Sequence, residues 1–302
     1  MRSLFVTGGS GFIGRRFLSQ IPAGRYRRIV ALSRRPQLAM DGVTWVQGDL
    51  ASAAPWKQFL DDTTDVAHFA AATGAVSAAV HRAVNADGTE TLVRACERAR
   101  AAGLLFVSSI AARYPEDAHY PYATSKREAE AIVRGSVVPF VIVRPTIVLG
   151  DGAPILGRLR SLAGGPVITV IGDGLARVQP IDVDDVAAAV TLLLERRAFD
   201  GGTRELGGPE VLTMEKLLGR IRHSLGKARA RVVHLPYGPA RGGLIVAEAL
   251  LGGRSPVSAG QLTAFVQNSE AQPDAFWEAL RPRLKTIEQM VKPAGTGVAT
   301  RG

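Results

Sequence analysis

The sequence predicts an α/β protein: a doubly wound parallel sheet with a smaller mixed α/β lobe in its C-terminal part. Three observations carry this reading. Short apolar strands alternate with helical segments through the first half of the chain. Those strands are near-continuous runs of Val, Ile, Leu and Ala, as expected when both faces of a sheet are covered. A glycine-rich turn joins the first strand to the first helix.

Taken in order, Leu4-Phe5-Val6 is the first strand, followed by the glycine turn and a helix from about Phe12 to Ile21. Arg28 to Ser33 is the second strand, Val43 to Gln47 the third and Asp65 to Ala71 the fourth. Asn85 to Ala102 reads as a helix, with Leu92, Val93 and Cys96 at helical spacing. Leu104 to Ser108 is the fifth strand, Ser125 to Arg134 a helix and Val138 to Val143 the sixth strand. The pattern changes after Gly150, where residues 151–174 are rich in Gly, Pro and Leu without clear alternation. QPIDV and the helix DDVAAAVTLLLERR then return to it. A short strand follows at Arg204 to Leu206, with helices at Met214 to Leu225 and Gln261 to Gln267. The expected division is a nucleotide-binding sheet domain over 1–150 plus 175–201, a substrate lobe over 151–174 plus 202–291, and a flexible tail at 292–302.

The chain has 302 residues, one cysteine and 46% hydrophobic residues, which excludes disordered and collagen-like classes. Cys96 alone builds neither an internal disulfide nor a cysteine zinc site; it reads as a small apolar filler in a helix. The excess of 37 Lys+Arg over 27 Asp+Glu gives +10. Only six of these cations are Lys, and the arginines are scattered with no recognised module beside them, so no nucleic-acid role is expected. Met1-Arg2-Ser3 runs straight into the first strand, and no apolar run approaches the ~20 residues of a membrane span. A soluble cytoplasmic protein acting on a small molecule is the expectation.

Gly8, Gly11 and Gly14 in Thr7-Gly8-Gly9-Ser10-Gly11-Phe12-Ile13-Gly14 form G-x-x-G-x-x-G between strand and helix, a Rossmann-type phosphate loop. Gly8 permits the tight turn, Gly11 the close approach of a pyrophosphate, and Gly14 the packing of helix on strand. Backbone N–H groups and the helix N-terminus face the phosphates, with Ser10, Phe12 and Ile13 in the same loop. An acidic residue at the end of the second strand would hold the ribose hydroxyls of NAD. Ser33-Arg34-Arg35 stands there instead, and arginines suit a 2′-phosphate, which favours NADP (NADPH) over NAD. Arg15 is a further candidate for that phosphate. At the end of the third strand Asp49 either accepts from the adenine amino group, with Leu50 against the ring, or caps a helical turn through Ser52.

Tyr122 and Lys126 are four apart in a helical stretch and share a face. An ammonium beside a phenol lowers its pKa and fits it for proton transfer near neutral pH. Thirteen residues earlier, Ser108-Ser109 closes the fifth strand; Ser109 is the one expected to orient a carbonyl or hydroxyl, its neighbour pointing into the sheet.

These residues carry a resemblance. TGGSGFIG, GDL at 48–50, HFAA at 68–71, NADGT at 85–89, FVSS at 106–109, YATSK at 122–126, RPTIVLGDG at 144–152 and QPIDVDDVA at 179–187 are similar to the extended short-chain dehydrogenase/reductase family, of the NAD-dependent epimerase/dehydratase type. The resemblance implies that Ser109, Tyr122 and Lys126 are the catalytic triad, with Lys126 also on the nicotinamide ribose. It implies that Ala70, Ala71 and Ala72 line the middle of the cofactor, that Pro145 borders the nicotinamide, and that Asn85 sits behind the active site. It implies pairing of two copies as a homodimer through the helices at 85–102 and 120–135. The short Ser–Tyr gap argues against a nucleotide-sugar substrate. ELGGPEVLTMEKLLGRI at 205–221 is similar to a branch related to a complex I accessory subunit, so the alternative to an oxidoreductase or epimerase is a non-catalytic NADP(H)-binding accessory or redox-sensing protein.

Of the five histidines, His68 reads as a packing residue, and His81, His119, His223 and His234 show no metal-ligand spacing; no metal is expected. His119, three residues before Tyr122, is the one within sequence reach of the site. Asp182, Asp184 and Asp185 read as the acidic start of a helix, and Arg158, Arg160 and Arg177 as surface residues that an anionic substrate group would meet.

Overall fold

A computed structural model describes residues 1–116, 119–251, 259–272 and 274–292. The expected tail lies outside these residues from 293 onward. In chain order the elements begin β1 (Ser3–Thr7), α1 (Phe12–Gln20), β2 (Arg28–Ser33), β3 (Val43–Gln47), β4 (Thr64–His68), α2 (Ala78–His81), α3 (Gly88–Ala99), β5 (Gly103–Val107), α4 (Pro121–Arg134), β6 (Phe140–Pro145) and β7 (Val148–Leu149). They continue α5 (Pro154–Gly164), β8 (Ile168–Ile171), β9 (Arg177–Val178), β10 (Ile181–Asp182), α6 (Val183–Arg196), β11 (Thr203–Leu206), β12 (Leu212–Thr213), α7 (Met214–Ser224), β13 (Val232–Leu235), α8 (Tyr237–Leu251), α9 (Ala259–Val266), α10 (Ala275–Leu280) and α11 (Ile287–Val291).

Seven strands form one parallel sheet in the order β11-β6-β5-β4-β1-β2-β3. Side chains alternate across it. Leu4 and Val6 face a core shared with Phe17 and Leu18 of α1 and with Val186, Val190 and Leu193 of α6. Phe5 faces the opposite core, with Leu92 and Cys96 of α3 and Ala129 and Val133 of α4. Helices therefore cover both faces, and the strand order reverses between β1 and β4, where a ligand crevice opens at the carboxyl ends. Cys96 is fully buried and its thiol is pushed up to about 12 by burial, as expected of an apolar filler.

A second core gathers Leu156 and Leu159 of α5, Ile168 and Val170 of β8, Leu217 and Ile221 of α7 and Met290 of α11. The apparently patternless 151–174 thus holds a helix and a strand; Pro154 opens the helix and Gly165 follows it. One expected boundary is corrected. Thr203–Leu206, assigned by sequence to the smaller lobe, pairs in register with Ile142–Pro145 and is the edge strand of the large sheet. The expected single helix over 85–102 is also corrected: Arg82–Asp87 is a π-helical turn, α3 follows it, and Arg100 ends α3 in a left-handed conformation with φ 54°. Asp182 caps α6 by accepting from the Asp184 N–H at 2.8 Å, which bears out the acidic helix start. Among the described residues no helix is long and apolar enough to cross a membrane.

Candidate functional site

The glycine loop lies at the strand-order reversal. Gly8 has φ +70°, and a Cβ there would stand 2.5 Å from the backbone nitrogen of Ala70. The Gly11 N–H donates to the Gly8 carbonyl at 2.9 Å, and a Cβ on Gly14 would collide with that same oxygen. Gly11 caps α1 without a side-chain acceptor, and no acidic residue stands in the first turn. The first amides of α1 are thus left for an anion.

A cleft of about 300 Å³ opens over this loop. The loop contributes Gly8, Ser10 and Gly11; β2 ends in Ser33 and Arg34, β3 is followed by Asp49 and Leu50, and β4 by Ala70 and Ala71. Ser33 spends its hydroxyl on the turn, donating to the Arg35 carbonyl at 2.8 Å and accepting from Gln37 at 3.1 Å. Arg15 donates to Gln37 at 3.1 Å, which brings it to the same loop as Arg34 and Arg35. Asp49 Oδ1 accepts from the Ala51 N–H at 3.0 Å, and the residue also lines the cleft. The other loop residues pack. Phe12 meets the smaller core and Ile13 the α6 side of the sheet, while Gly14, Arg35, Ala72 and Pro145 lie outside the cleft lining.

Behind the cleft, buried His68 joins Thr7 at 2.5 Å and Thr89 at 2.9 Å; burial drives its imidazole down to about 3, so it is a neutral bridge, as its packing role requires. Asn85 accepts from the Ala72 N–H at 2.6 Å and donates to the Ala72 carbonyl at 3.1 Å and to Ser125 at 2.9 Å. Ser125 in turn donates to the Tyr122 carbonyl at 2.8 Å. The loop after β4 is thereby tied to the start of α4, with Asn85 where the resemblance implied.

The structure brings Ser109, Tyr122 and Lys126 to one end of the sheet. Ser109 caps the turn Ile110–Arg113 by accepting from the Ala111 N–H at 3.2 Å, and its side chain works against the rise that burial imposes on the Tyr122 phenol. Ser108 points away, donating to Glu130 at 2.6 Å, which separates the two serines as expected. Lys126 is 1% exposed; its Nζ donates to the Val107 carbonyl at 2.8 Å and stands 4.4 Å from the Phe106 ring centre. Burial holds that ammonium down to about 7, with Glu130 opposing the shift.

One expectation is overturned here. Lys126 does not lower the Tyr122 pKa: burial raises it, and only Ser109 works against that rise. The reason is geometric, because the end of β5 holds the cation.

Beneath this group lies a buried charge network that spacing alone did not reveal. Arg144 donates to Glu130 at 2.5 and 2.8 Å and to Glu205 at 3.3 Å, and Arg113 donates to Glu205 at 2.7 Å. Burial alone would raise the Glu130 carboxyl; its hydrogen bonds from Arg144 and Ser108 outweigh that and hold it below its usual value. Of the arginines offered to an anionic substrate, Arg160 donates to the carbonyls of Val291 and Lys292, and Arg177 pairs with Glu270 at 2.8 Å. His81 was also missed. It is 2% exposed and meets the Tyr122 ring edge-on, with centroids 5.8 Å apart. The signal available was its place in the helix that returns toward Asn85.

A parallel sheet that reverses its order beside such a loop defines a nucleotide-binding enzyme class. Residues 4–206 match the NAD dependent epimerase/dehydratase family, and the chain belongs to it. It is an NAD(P)-dependent enzyme of the short-chain dehydrogenase/reductase type. It is 31% identical over 242 residues to the ceramide reductase of Caulobacter vibrioides, covering 76% of this chain and 73% of that one. It is 32% identical over 115 residues to the mitochondrial NADH dehydrogenase [ubiquinone] 1 alpha subcomplex subunit 9 of Arabidopsis thaliana, 37% of this chain and 28% of that one. The crystal structure of gox2253 superposes with a TM-score of 0.75 at 22% identity, over 96% of each chain.

Proposed function

We propose that the protein is an NADPH-dependent oxidoreductase that reduces a ketone, with Tyr122 as proton donor, Ser109 as the group that orients the carbonyl oxygen, and Lys126 as the cation of the site. The observation that carries this reading is the convergence of Ser109, at the end of β5, and Lys126, buried against the Val107 carbonyl, at the carboxyl edge of the sheet, with Tyr122 on the first turn of α4. The glycine loop fits a dinucleotide, since side chains at positions 8 and 14 would collide with the backbone of Ala70 and Gly8 and push the loop out of this shape. Gly8, Ser10, Gly11, Asp49, Leu50, Ala70 and Ala71 would hold the cofactor, with Arg34, Arg35 and Arg15 at the 2′-phosphate end. When bound, the cofactor supplies hydride to the carbonyl carbon.

The residues of the chain do the rest. Ser109 donates to the carbonyl oxygen and polarises it. Tyr122 gives that oxygen its proton as negative charge develops there. Lys126, buried and titrating near neutrality, holds the ribose side of the site as its cation. The likeness to a reductase supports reduction over epimerisation, and retention of both Tyr122 and Lys126 supports an enzyme over an accessory protein. The smaller core, with α5, α7 and α11, forms the substrate lobe in this reading, and two copies pair through α3 and α4, which light scattering in solution checks.

The test is NADPH oxidation against a panel of ketones, with NADPH binding followed by fluorescence. Tyr122→Phe is expected to abolish turnover while NADPH binding persists. Unchanged turnover in that variant would overturn the assignment.

A further inference from the structure

The end of β5 is fastened to α4 by two rungs. The Lys126 ammonium donates to the Val107 carbonyl at 2.8 Å, and one helical turn further on Glu130 accepts from the Ser108 hydroxyl at 2.6 Å. Tyr122, Lys126 and Glu130 stand four apart and form one stripe of α4. Ser109 is the next residue, and it opens the turn Ile110–Arg113. The far end of that turn is held as well. Arg113 donates to Glu205 of β11 at 2.7 Å and to the Glu270 carbonyl at 3.3 Å. Arg127 of α4 donates to the carbonyls of Ala112 at 3.3 Å and Tyr114 at 2.8 Å.

The two ends meet beneath the turn. Arg144 of β6 grips both oxygens of Glu130 through Nε and Nη2, and its Nη1 donates to Glu205. Glu205 Oε2 also accepts from the Gln272 N–H at 2.9 Å. The path Ser108–Glu130–Arg144–Glu205–Arg113 therefore closes on the short segment that carries Ser109. Charge-assisted bonds are short and directional, and a bidentate pair fixes angle as well as distance. Buried ion pairs offset their desolvation only in part, so stability is a weak reason for two carboxylates and an arginine here. A hydroxyl that orients a reacting carbonyl needs such a frame, because misplacing it by about 1 Å can cost about 10²-fold in rate.

We infer that Glu130 and Glu205, bridged by Arg144, are positioning residues that hold the Ser109 hydroxyl in place by gripping its turn at Ser108 and at Arg113. This rests on the reductase reading above, which gives Ser109 its carbonyl. Neither carboxylate touches substrate or carries a proton in the reaction; both act through Ser109. Because Glu130 shares its stripe of α4 with Tyr122 and Lys126, its bond to Ser108 also fixes the turn relative to those two residues.

Replacing Glu130 or Glu205 would leave Arg144 short of a partner and endanger the fold, so the experiment cuts the two ends instead. Ser108→Ala and Arg113→Ala both leave the Glu130–Arg144–Glu205 core paired. With NADPH and either 2-octanone or cyclohexanone, each variant is expected to lower kcat by about ten- to hundredfold while KM and NADPH affinity stay at their wild-type values. Arg113→Lys, which keeps a donor for Glu205, should recover part of kcat. Wild-type kcat in either alanine variant, no recovery in Arg113→Lys, or NADPH affinity falling in step with kcat would each overturn the proposal. Hydrogen exchange reads the frame without turnover. The Ala112 and Tyr114 amides donate to the carbonyls of Ser109 and Ala111, and both should exchange faster in the two alanine variants while the amides of α7 are unchanged. Unchanged exchange in the turn, or faster exchange throughout the chain, overturns the inference. If the wild type reduces neither ketone, the reductase reading fails separately, and exchange then decides: a rise confined to the turn supports the frame, and no rise refutes it.

Discussion

The Lys126 ammonium donates to the Val107 carbonyl at 2.8 Å, so the cation of the site is held by the last residue of β5, not by the phenol four residues before it. A charge that is 1% exposed and met by a carbonyl and a ring face is only partly compensated, which is why burial brings its pKa down to about 7.

That shift makes stability depend on pH. The folded chain releases the Lys126 proton near pH 7 and the unfolded chain near 10.5, so between these values the unfolded state binds more protons and stability rises with pH. Lys126→Met removes this dependence. Calorimetry should find the variant melting above wild type at pH 7, with the gap closing toward pH 10, while turnover falls by about 10²–10⁴ if proton transfer is impaired. A gap that does not change with pH would contradict the burial argument.

Gly14→Ala pushes a methyl group onto the Gly8 carbonyl and displaces the loop that Gly11 closes. A cost of about 1–3 kcal/mol in stability is expected, together with loss of NADPH affinity. Gly219→Ala, in α7 with open space at the Cβ position, should instead stabilise by about 0.5–1 kcal/mol. Denaturant melts and a fluorescence titration check both.

Arg34 lines the cleft, where the adenosine 2′-phosphate would meet its guanidinium. Arg34→Ala should weaken NADPH by about ten- to hundredfold, the worth of a charged hydrogen bond of ~1.5–3 kcal/mol, and leave NADH unchanged. The difference should shrink in high salt. Equal losses for both cofactors would remove the phosphate assignment.

Glu130→Gln leaves Arg144 facing an amide inside the protein. Breaking such a buried pair costs about 3–5 kcal/mol at neutral pH. Because the folded carboxyl sits below its unfolded value of 4.5, its stabilisation is present above that pH and lost as pH falls through the folded value. The gap between variant and wild type should therefore narrow in acid melts as pH falls below 4.5.

Much of this molecule was legible in the chain. The glycines at 8, 11 and 14 announce a strand, a turn and a helix because a Cβ at 8 or 14 would strike backbone and one at 11 would crowd the Gly8 carbonyl at 3.1 Å. The Val, Ile and Leu runs of β1, β2, β5 and β6 announce a sheet covered on both faces. Ser109, Tyr122 and Lys126 were legible because helix spacing and a strand end are local facts. The helix α5 was not, because its Gly157 and Gly164 blur the apolar period.

The sequence by itself determined the fold class, the strand–turn–helix of the phosphate loop and the residues gathered at the carboxyl edge. Only the tertiary structure decided that Thr203–Leu206 closes the large sheet, that Arg144 bridges Glu130 and Glu205, that Lys126 turns to Val107, and that His81 meets Tyr122. The physical reason is one of range. Propensity and periodicity act over a few residues, whereas a strand's neighbour and the partner of a buried charge are chosen across 14 to 61 residues by which groups must be paired once water is excluded.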